Sequence, residues 1–126
     1  MNDPATHVEN RAGEPAANPY LYMASQIVSG LDGMRREIDP GPPSEVPYAA
    51  TDQPPLPSTL MEAVSALKQD ALFREKFGHA FLDFIITLKE FETNRFLGYL
   101  ESTGMKLQDA LDVTTDWEHR EYFDLF

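Results

Sequence analysis

The sequence predicts a mainly α protein: a small helical domain of about four to five helices that follows an N-terminal strand or loop. Composition changes sharply at Pro57, because all ten prolines lie at or before it and all eight phenylalanines lie after it. Beyond that point apolar residues recur every three or four positions, which is the spacing of one helix face. We therefore expect a loop-rich first part with one helix, and a helical second part with an aromatic core.

Length and charge exclude several classes of function. A chain of 126 residues with 42% hydrophobic content makes one domain with a modest core. A formal net charge of -11 disfavours nucleic acid as a partner, because phosphate contacts need clustered Lys and Arg. The sequence has no cysteine, so it offers no disulfide and no thiolate metal site. With no secretory leader pattern and no apolar run of roughly 18 residues, we expect a soluble, cytoplasmic protein without a membrane partner.

The N-terminal part contains a predicted strand and one helix. Residues 5–11 (ATHVENR) are predicted to form a short strand. Asn18 can then cap a helix whose first position is Pro19, where the missing N–H costs nothing. Gly30 and Gly33 weaken that helix and predict a bend or break. Its apolar stripe consists of Leu21, Ala24, Ile27 and Val28, with Met23 beside it.

A Pro-rich loop over residues 39–57 separates this helix from the next. Ser58 or Thr59 can cap the following helix, with Glu62 placed to complete a capping box. Asp70 can cap the short helix ALFREKF after it.

The longest predicted helix runs from residue 79 to about residue 101. Its apolar arc is wider than one stripe, so we expect it to be buried on more than one side, within a bundle or against a partner. Thr114 or Thr115 can cap a small terminal helix that carries Trp117 and Tyr122. The arc comprises Phe81, Leu82, Phe84, Ile85, Ile86, Leu88, Phe91, Leu97, Tyr99 and Leu100.

Few residues suggest chemistry from their pattern alone. Glu9 and Arg11 are two apart, so on a strand they share a face, where the carboxylate could hold a cation and the guanidinium an anion. The alternative is a solvated ion pair on an edge strand. Glu90 and Glu92 are expected to be solvated charges on an exposed helix face. The sequence shows no glycine-rich phosphate motif, no nucleophile elbow and no histidines at metal-site spacing.

Several motifs, in order along the chain, resemble the C-terminal part of the catalytic domain of the glutamine synthetase family. They are HVENR at 7–11, ANPYL at 17–21, AS at 24–25, GLDG at 30–33, LPSTL with Glu62 and Ala63 at 56–63, and VTTDWE at 113–118 with Tyr122.

The resemblance implies an ATP-dependent ligase that joins an amine to the γ-carboxylate of glutamate through a γ-glutamyl phosphate, with Mg²⁺ or Mn²⁺ as cofactor. It also implies that Glu9 is a metal-binding glutamate and that Arg11 holds substrate carboxylate or developing phosphate charge. Residues 1–17 would be a strand or loop remnant of the catalytic sheet, in a parent fold of the α+β class, and residues 18–126 its helical C-terminal region. No residue is assigned a catalytic role.

Other family motifs are absent from this sequence: a paired-glutamate metal motif, a glycine-rich segment with H-x-H and a Lys-Pro nucleotide segment. We therefore expect a truncated ligase portion, of a kind used in nitrogen metabolism, that is inactive on its own. One alternative is a helical interaction module that self-associates or docks on a full-length family enzyme. Another is a nonfunctional gene remnant that still folds.

Overall fold

The computed structural model describes residues 4–7, 9–10, 12–13, 16–43, 46 and 54–123. Within these ranges the chain forms six α-helices and no strand, which confirms the mainly α class. The helices are α1 (Pro19–Arg35), α2 (Leu60–Gln69), α3 (Ala71–Phe77), α4 (His79–Thr103), α5 (Leu107–Ala110) and α6 (Asp116–Tyr122). None of the helices in the described part is long and apolar enough to cross a membrane.

The start of α1 is the predicted one. The side-chain oxygen of Asn18 accepts hydrogen bonds from the backbone N–H groups of Tyr20 and Leu21, at 3.0 and 3.2 Å. Pro19 occupies the first helical position. These contacts satisfy donors that have no partner within the helix.

Two local predictions for the N-terminal part are wrong. The break predicted at Gly30 or Gly33 does not occur, because α1 continues through both to Arg35 and a helical glycine costs only about 1 kcal/mol relative to alanine; the bend, its predicted alternative, stays a prediction. The described residues of segment 5–11 form no strand. A strand needs a hydrogen-bonded neighbour, and the described ranges contain no other strand to pair with it.

Caps set the limits of α2 and α3. The hydroxyl of Thr59 accepts from the Glu62 backbone N–H at 3.1 Å, so Thr59 rather than Ser58 is the cap of α2. The Glu62 carboxylate accepts hydrogen bonds from the backbone N–H and the hydroxyl of Ser58, both at 2.8 Å. Asp70 caps α3 by accepting from the Phe73 backbone N–H at 2.8 Å, as predicted.

The core lies where α2 and α3 pack on the first half of α4. Val64, Leu82 and Ile86 are buried together, with Leu67 and Phe73 partly buried against them. The ion pair between Arg74 and Asp83, at 2.8 Å, joins α3 to α4 at the surface of this core.

Only one side of α4 is buried in this way. Leu82, Ile86 and Leu100 are buried, whereas Phe84 and Phe91 are 62% and 61% exposed. Four of the ten residues of the predicted apolar arc are exposed. Within the described part of the chain no bundle covers a second side of α4. Burial against a partner, the other predicted possibility, stays a prediction.

The end of α4 and the two short helices after it complete the fold. The helix ends at Gly104, whose φ of 70° lies in the left-handed region that suits glycine. The four-residue α5 that follows was not predicted, because it has no side-chain cap and is too short for a periodic signal. Thr115 caps α6 and forms a complete capping box with Glu118.

Candidate functional site

Glu9 and Arg11 are the two residues to which the sequence assigns binding roles. Glu9 is exposed, in a segment without regular structure. Arg11 lies outside the described residues. Whether the two side chains share a face therefore stays a prediction, and so does the solvated ion pair that is its alternative.

Asn10, which lies between Glu9 and Arg11, connects this N-terminal segment to α1. The side-chain amide of Asn10 donates to the Gln26 side-chain oxygen at 2.5 Å, and its own oxygen accepts from the Ala12 backbone N–H at 2.9 Å. Gly13 packs against the Tyr22 ring so closely that a Cβ atom there would lie 2.9 Å from a ring carbon. Asn10 and Gly13 thus hold the segment that contains Glu9 against the first half of α1.

The described residues do not form a metal site by themselves. They contain no group of three or more His, Cys, Asp or Glu side chains arranged to hold an ion. Magnesium takes six oxygen ligands in octahedral geometry, often with several waters among them. Glu9 can supply one such ligand, and the others would have to come from elsewhere.

Glu92 lies in a cluster of charged and hydroxyl groups that the sequence did not reveal. Its carboxylate accepts a hydrogen bond from the Tyr122 hydroxyl and pairs with Lys89 at 2.7 Å, and its side chain is only 13% exposed. The prediction of a solvated charge is therefore wrong for Glu92. It holds for Glu90, which is exposed and pairs with Lys68. Burial, reinforced by the bond to Glu92, raises the pKa of Tyr122 above its usual range.

Arg95 lies beside this cluster and fixes α6 on α4. Its guanidinium donates two hydrogen bonds to the Glu121 carboxylate, at 2.6 and 2.7 Å. It also lies over the Trp117 ring, 5.8 Å from the ring centroid. The same carboxylate raises the pKa of the Arg95 guanidinium. The paired geometry is that of a structural clamp between two helices.

A pocket of about 300 Å³ lies beside the same helices, lined by residues of the α2 start, α4, α5 and α6. The Phe96 and Trp117 rings line part of it, with centroids 5.2 Å apart. The Glu118 carboxylate at its rim accepts from the Thr115 backbone N–H at 2.7 Å. The carboxylates of Glu92 and Glu118 are thus engaged within the protein, and Glu9 does not line the pocket. No signal in the sequence could have found the contact of Glu92 with Tyr122, which are 30 residues apart.

Comparison with known proteins identifies the family. The profile of the glutamine synthetase catalytic domain matches residues 1–107. The γ-glutamylanilide synthase of an Acinetobacter species is 48% identical over 124 residues, which cover 98% of this chain and 24% of that protein. Glutamine synthetase of Archaeoglobus fulgidus is 34% identical over 129 residues, 96% of this chain and 23% of that protein. Human lengsin is 30% identical over 105 residues, 75% of this chain and 21% of that protein.

No solved structure matches the chain significantly. The chain spans about a quarter of the length of the curated relatives it matches. The match to the catalytic-domain profile nevertheless covers most of its residues. The chain therefore belongs to the glutamine synthetase family.

Proposed function

We propose that these residues form the C-terminal part of the catalytic domain of an ATP-dependent ligase that joins an amine to the γ-carboxylate of glutamate. The observation that carries the proposal is the catalytic-domain match over residues 1–107. In such a ligase, an oxygen of the γ-carboxylate attacks the γ-phosphorus of ATP, ADP leaves, and an acyl phosphate forms. The amine nitrogen then attacks the acyl carbon, the C–N bond forms, phosphate leaves and the nitrogen loses a proton. Divalent cations neutralise the phosphate charge in chemistry of this class.

Within that ligase, Glu9 would supply one oxygen ligand to a divalent cation, and Arg11 would pair with the carboxylate or phosphate of the substrate. The remaining metal ligands would come from other segments of the catalytic domain. Support comes from the anchoring of this segment on α1 through Asn10 and Gly13. A side chain that binds substrate or metal needs a backbone held in place by its neighbours.

We further propose an aromatic amine as the amine substrate. Identity is 48% with the γ-glutamylanilide synthase, whose name describes an amide of aniline, and 34% with the Archaeoglobus glutamine synthetase. Both matches cover nearly all of this chain. The higher identity with the γ-glutamylanilide synthase favours aniline-like amines over ammonia as the substrate.

A chimera tests the ligase proposal. Residues 1–126 replace the matching 124-residue segment of the Acinetobacter synthase, and ATP-dependent product formation is measured with aniline and with ammonium. We expect γ-glutamylanilide to form, and we expect Glu9→Gln and Arg11→Gln to reduce its rate at least 100-fold. The matched control is Glu37→Gln, an exposed charge outside the predicted site, which should leave the rate within twofold. A folded chimera without turnover would contradict the proposal, and one that makes glutamine but no anilide would contradict the amine assignment.

The 126-residue chain alone should hydrolyse no ATP in the presence of glutamate, aniline and Mg²⁺. Backbone NMR during a Mg²⁺-ATP titration should show no saturable shift localised at Glu9. The reason is that one carboxylate replaces too little of the hydration shell of the ion. Saturable local shifts would show instead that this segment holds the nucleotide unaided.

A further inference from the structure

One helix face of α1 is apolar and exposed along its whole length. Five large side chains recur at intervals of three or four residues and are each 51% to 76% exposed. No residue of α1 is fully buried. We call this face the α1 stripe: Tyr20, Met23, Ile27, Leu31 and Met34.

A second apolar face lies on α4. Its members are spaced by three, four and three residues and are 40% to 62% exposed, on the side of the helix away from Leu82 and Ile86. The spacing is that of the contact positions of a packed helix, which marks a face suited to another element. We call this face the α4 stripe: Phe81, Phe84, Leu88 and Phe91.

An apolar groove of about 160 Å³ connects α1 with the beginning of the α4 stripe. Leu21 and Ser25 line it from α1, and Phe77 lines it from α3. Phe81 belongs both to this groove and to the α4 stripe. The exposed surface of α4 therefore continues into a cleft that α1 borders with Leu21 and Ser25, which lie on another side of α1 than its stripe.

Summed as two separate faces, the stripes offer more apolar area than the single largest patch of a typical monomer. A large apolar or aromatic side chain offers about 150–250 Å², so nine that are about half-exposed present on the order of 900 Å². The largest patch on a typical monomer is about 300–600 Å². A stable interface buries about 800 Å² on each partner. The stripes together are large enough for such an interface.

Charge argues against a second copy of this chain as the occupant. Each copy has a formal net charge of -11, so association of two copies would bring like charge together. The relatives indicate a different occupant, since 96% to 98% of this chain matches only 23% to 24% of theirs. In those relatives about three quarters of the polypeptide is additional to the matched segment.

We propose that the α1 and α4 stripes are the docking surface for that remaining part of a glutamine synthetase-family enzyme, in the same polypeptide or in a companion chain. The inference rests on the proposed function for the identity of the partner. The stripes bury their apolar side chains against it, and α1 brings with it the segment that carries Glu9.

Single-cysteine labelling tests this surface, because the natural sequence has no cysteine. Leu31→Cys and Leu88→Cys report on the two stripes. The control is Glu101→Cys, at an exposed position on α4 that lies roughly 140° around the helix from Leu88. Thiol labelling of each site is followed by peptide mass spectrometry in the isolated chain and in the Acinetobacter chimera. We expect at least 30-fold slower labelling at both stripe positions in the chimera, and less than a threefold change at the control.

A second measurement uses separate chains. The 126-residue chain is mixed with the Acinetobacter synthase from which the matching segment has been deleted, and the Kd is measured. The double variant Phe84→Ser, Leu88→Ser should weaken binding at least 30-fold. The control is Phe123→Ser, because Phe123 is 78% exposed and lies outside both stripes. It should change the Kd less than threefold.

Labelling of the stripes at equal rates in the isolated chain and the chimera, with no effect of the serine variants on binding, overturns the proposal. A homodimer of the isolated chain that protects Leu88→Cys also overturns it, because the occupant would then be a second copy. An active chimera with unprotected stripes refutes the docking surface alone. Protected stripes in a chimera without turnover refute the proposed function alone.

Discussion

Replacing Leu82 by alanine should destabilise the domain strongly, whereas the same replacement of Phe84, two residues away on the same helix, should not. Leu82 is 3% exposed in the cluster with Val64 and Ile86, whereas Phe84 is 62% exposed. The two variants remove large apolar side chains from opposite sides of α4. They therefore test directly which side of this helix forms the core.

The magnitude follows from the burial. Leu82→Ala removes three buried carbons at about 0.8 kcal/mol each, and the cavity left behind adds to this, for a total of about 3 kcal/mol. With a urea dependence of about 1.5 kcal/mol per M, the unfolding midpoint should fall by about 2 M. Phe84→Ala should change the free energy of unfolding by less than about 1 kcal/mol, because most of the Phe84 side chain is already in water.

The assay is urea unfolding of the isolated chain, followed by far-ultraviolet circular dichroism. Loss of the helical signal of Leu82→Ala without urea would agree with the prediction, since the core is small. Equal midpoint shifts for the two variants, or a larger shift for Phe84→Ala, would refute the assignment of the core side of α4.

Three further perturbations test local features of the structure. Thr115→Ala should cost about 1 kcal/mol of stability by removing the α6 cap, whereas Thr114→Ala at the exposed neighbouring position should cost less than about 0.5 kcal/mol, both measured by urea unfolding. Asp70→Ala should cost about 1 kcal/mol by leaving the first N–H groups of α3 without their cap, and an unchanged midpoint would contradict that role. The raised pKa of Tyr122 means that the folded state holds the phenolic proton more tightly, so its contribution to stability is complete below about pH 10 and is lost as pH rises further. Tyr122→Phe should remove this loss, and an identical alkaline stability profile for the variant would contradict it.

The predictions from sequence were most accurate where the physical cause is local. The caps Asn18 and Asp70 act within three residues of their own position, so the local sequence predicts them, whereas for α6 it left Thr114 and Thr115 as alternatives. The start of α4 at His79 is the predicted one, and its end at Thr103 lies close to the predicted end at about residue 101.

Contacts between distant elements could not be predicted in this way. The pairing of Glu92 with Tyr122 depends on how α6 packs on α4, which no local spacing encodes. The apolar arc of α4 has the same periodicity whether Phe84 faces a core or solvent, so the pattern alone could not decide between them. For the site, the family resemblance predicts binding roles for Glu9 and Arg11. A metal site needs ligands from other segments as well, and two residues of one segment do not show which these are.

The most direct test of the account is the rate of ATP-dependent γ-glutamylanilide formation by the chimera that carries unsubstituted residues 1–126 in place of the matching segment of the Acinetobacter synthase. If these residues are the C-terminal part of a ligase catalytic domain, the chimera should retain at least one tenth of the parent rate. It should also lose that activity on Glu9→Gln. A chimera that folds and assembles like the parent enzyme but forms no γ-glutamyl product would contradict the account.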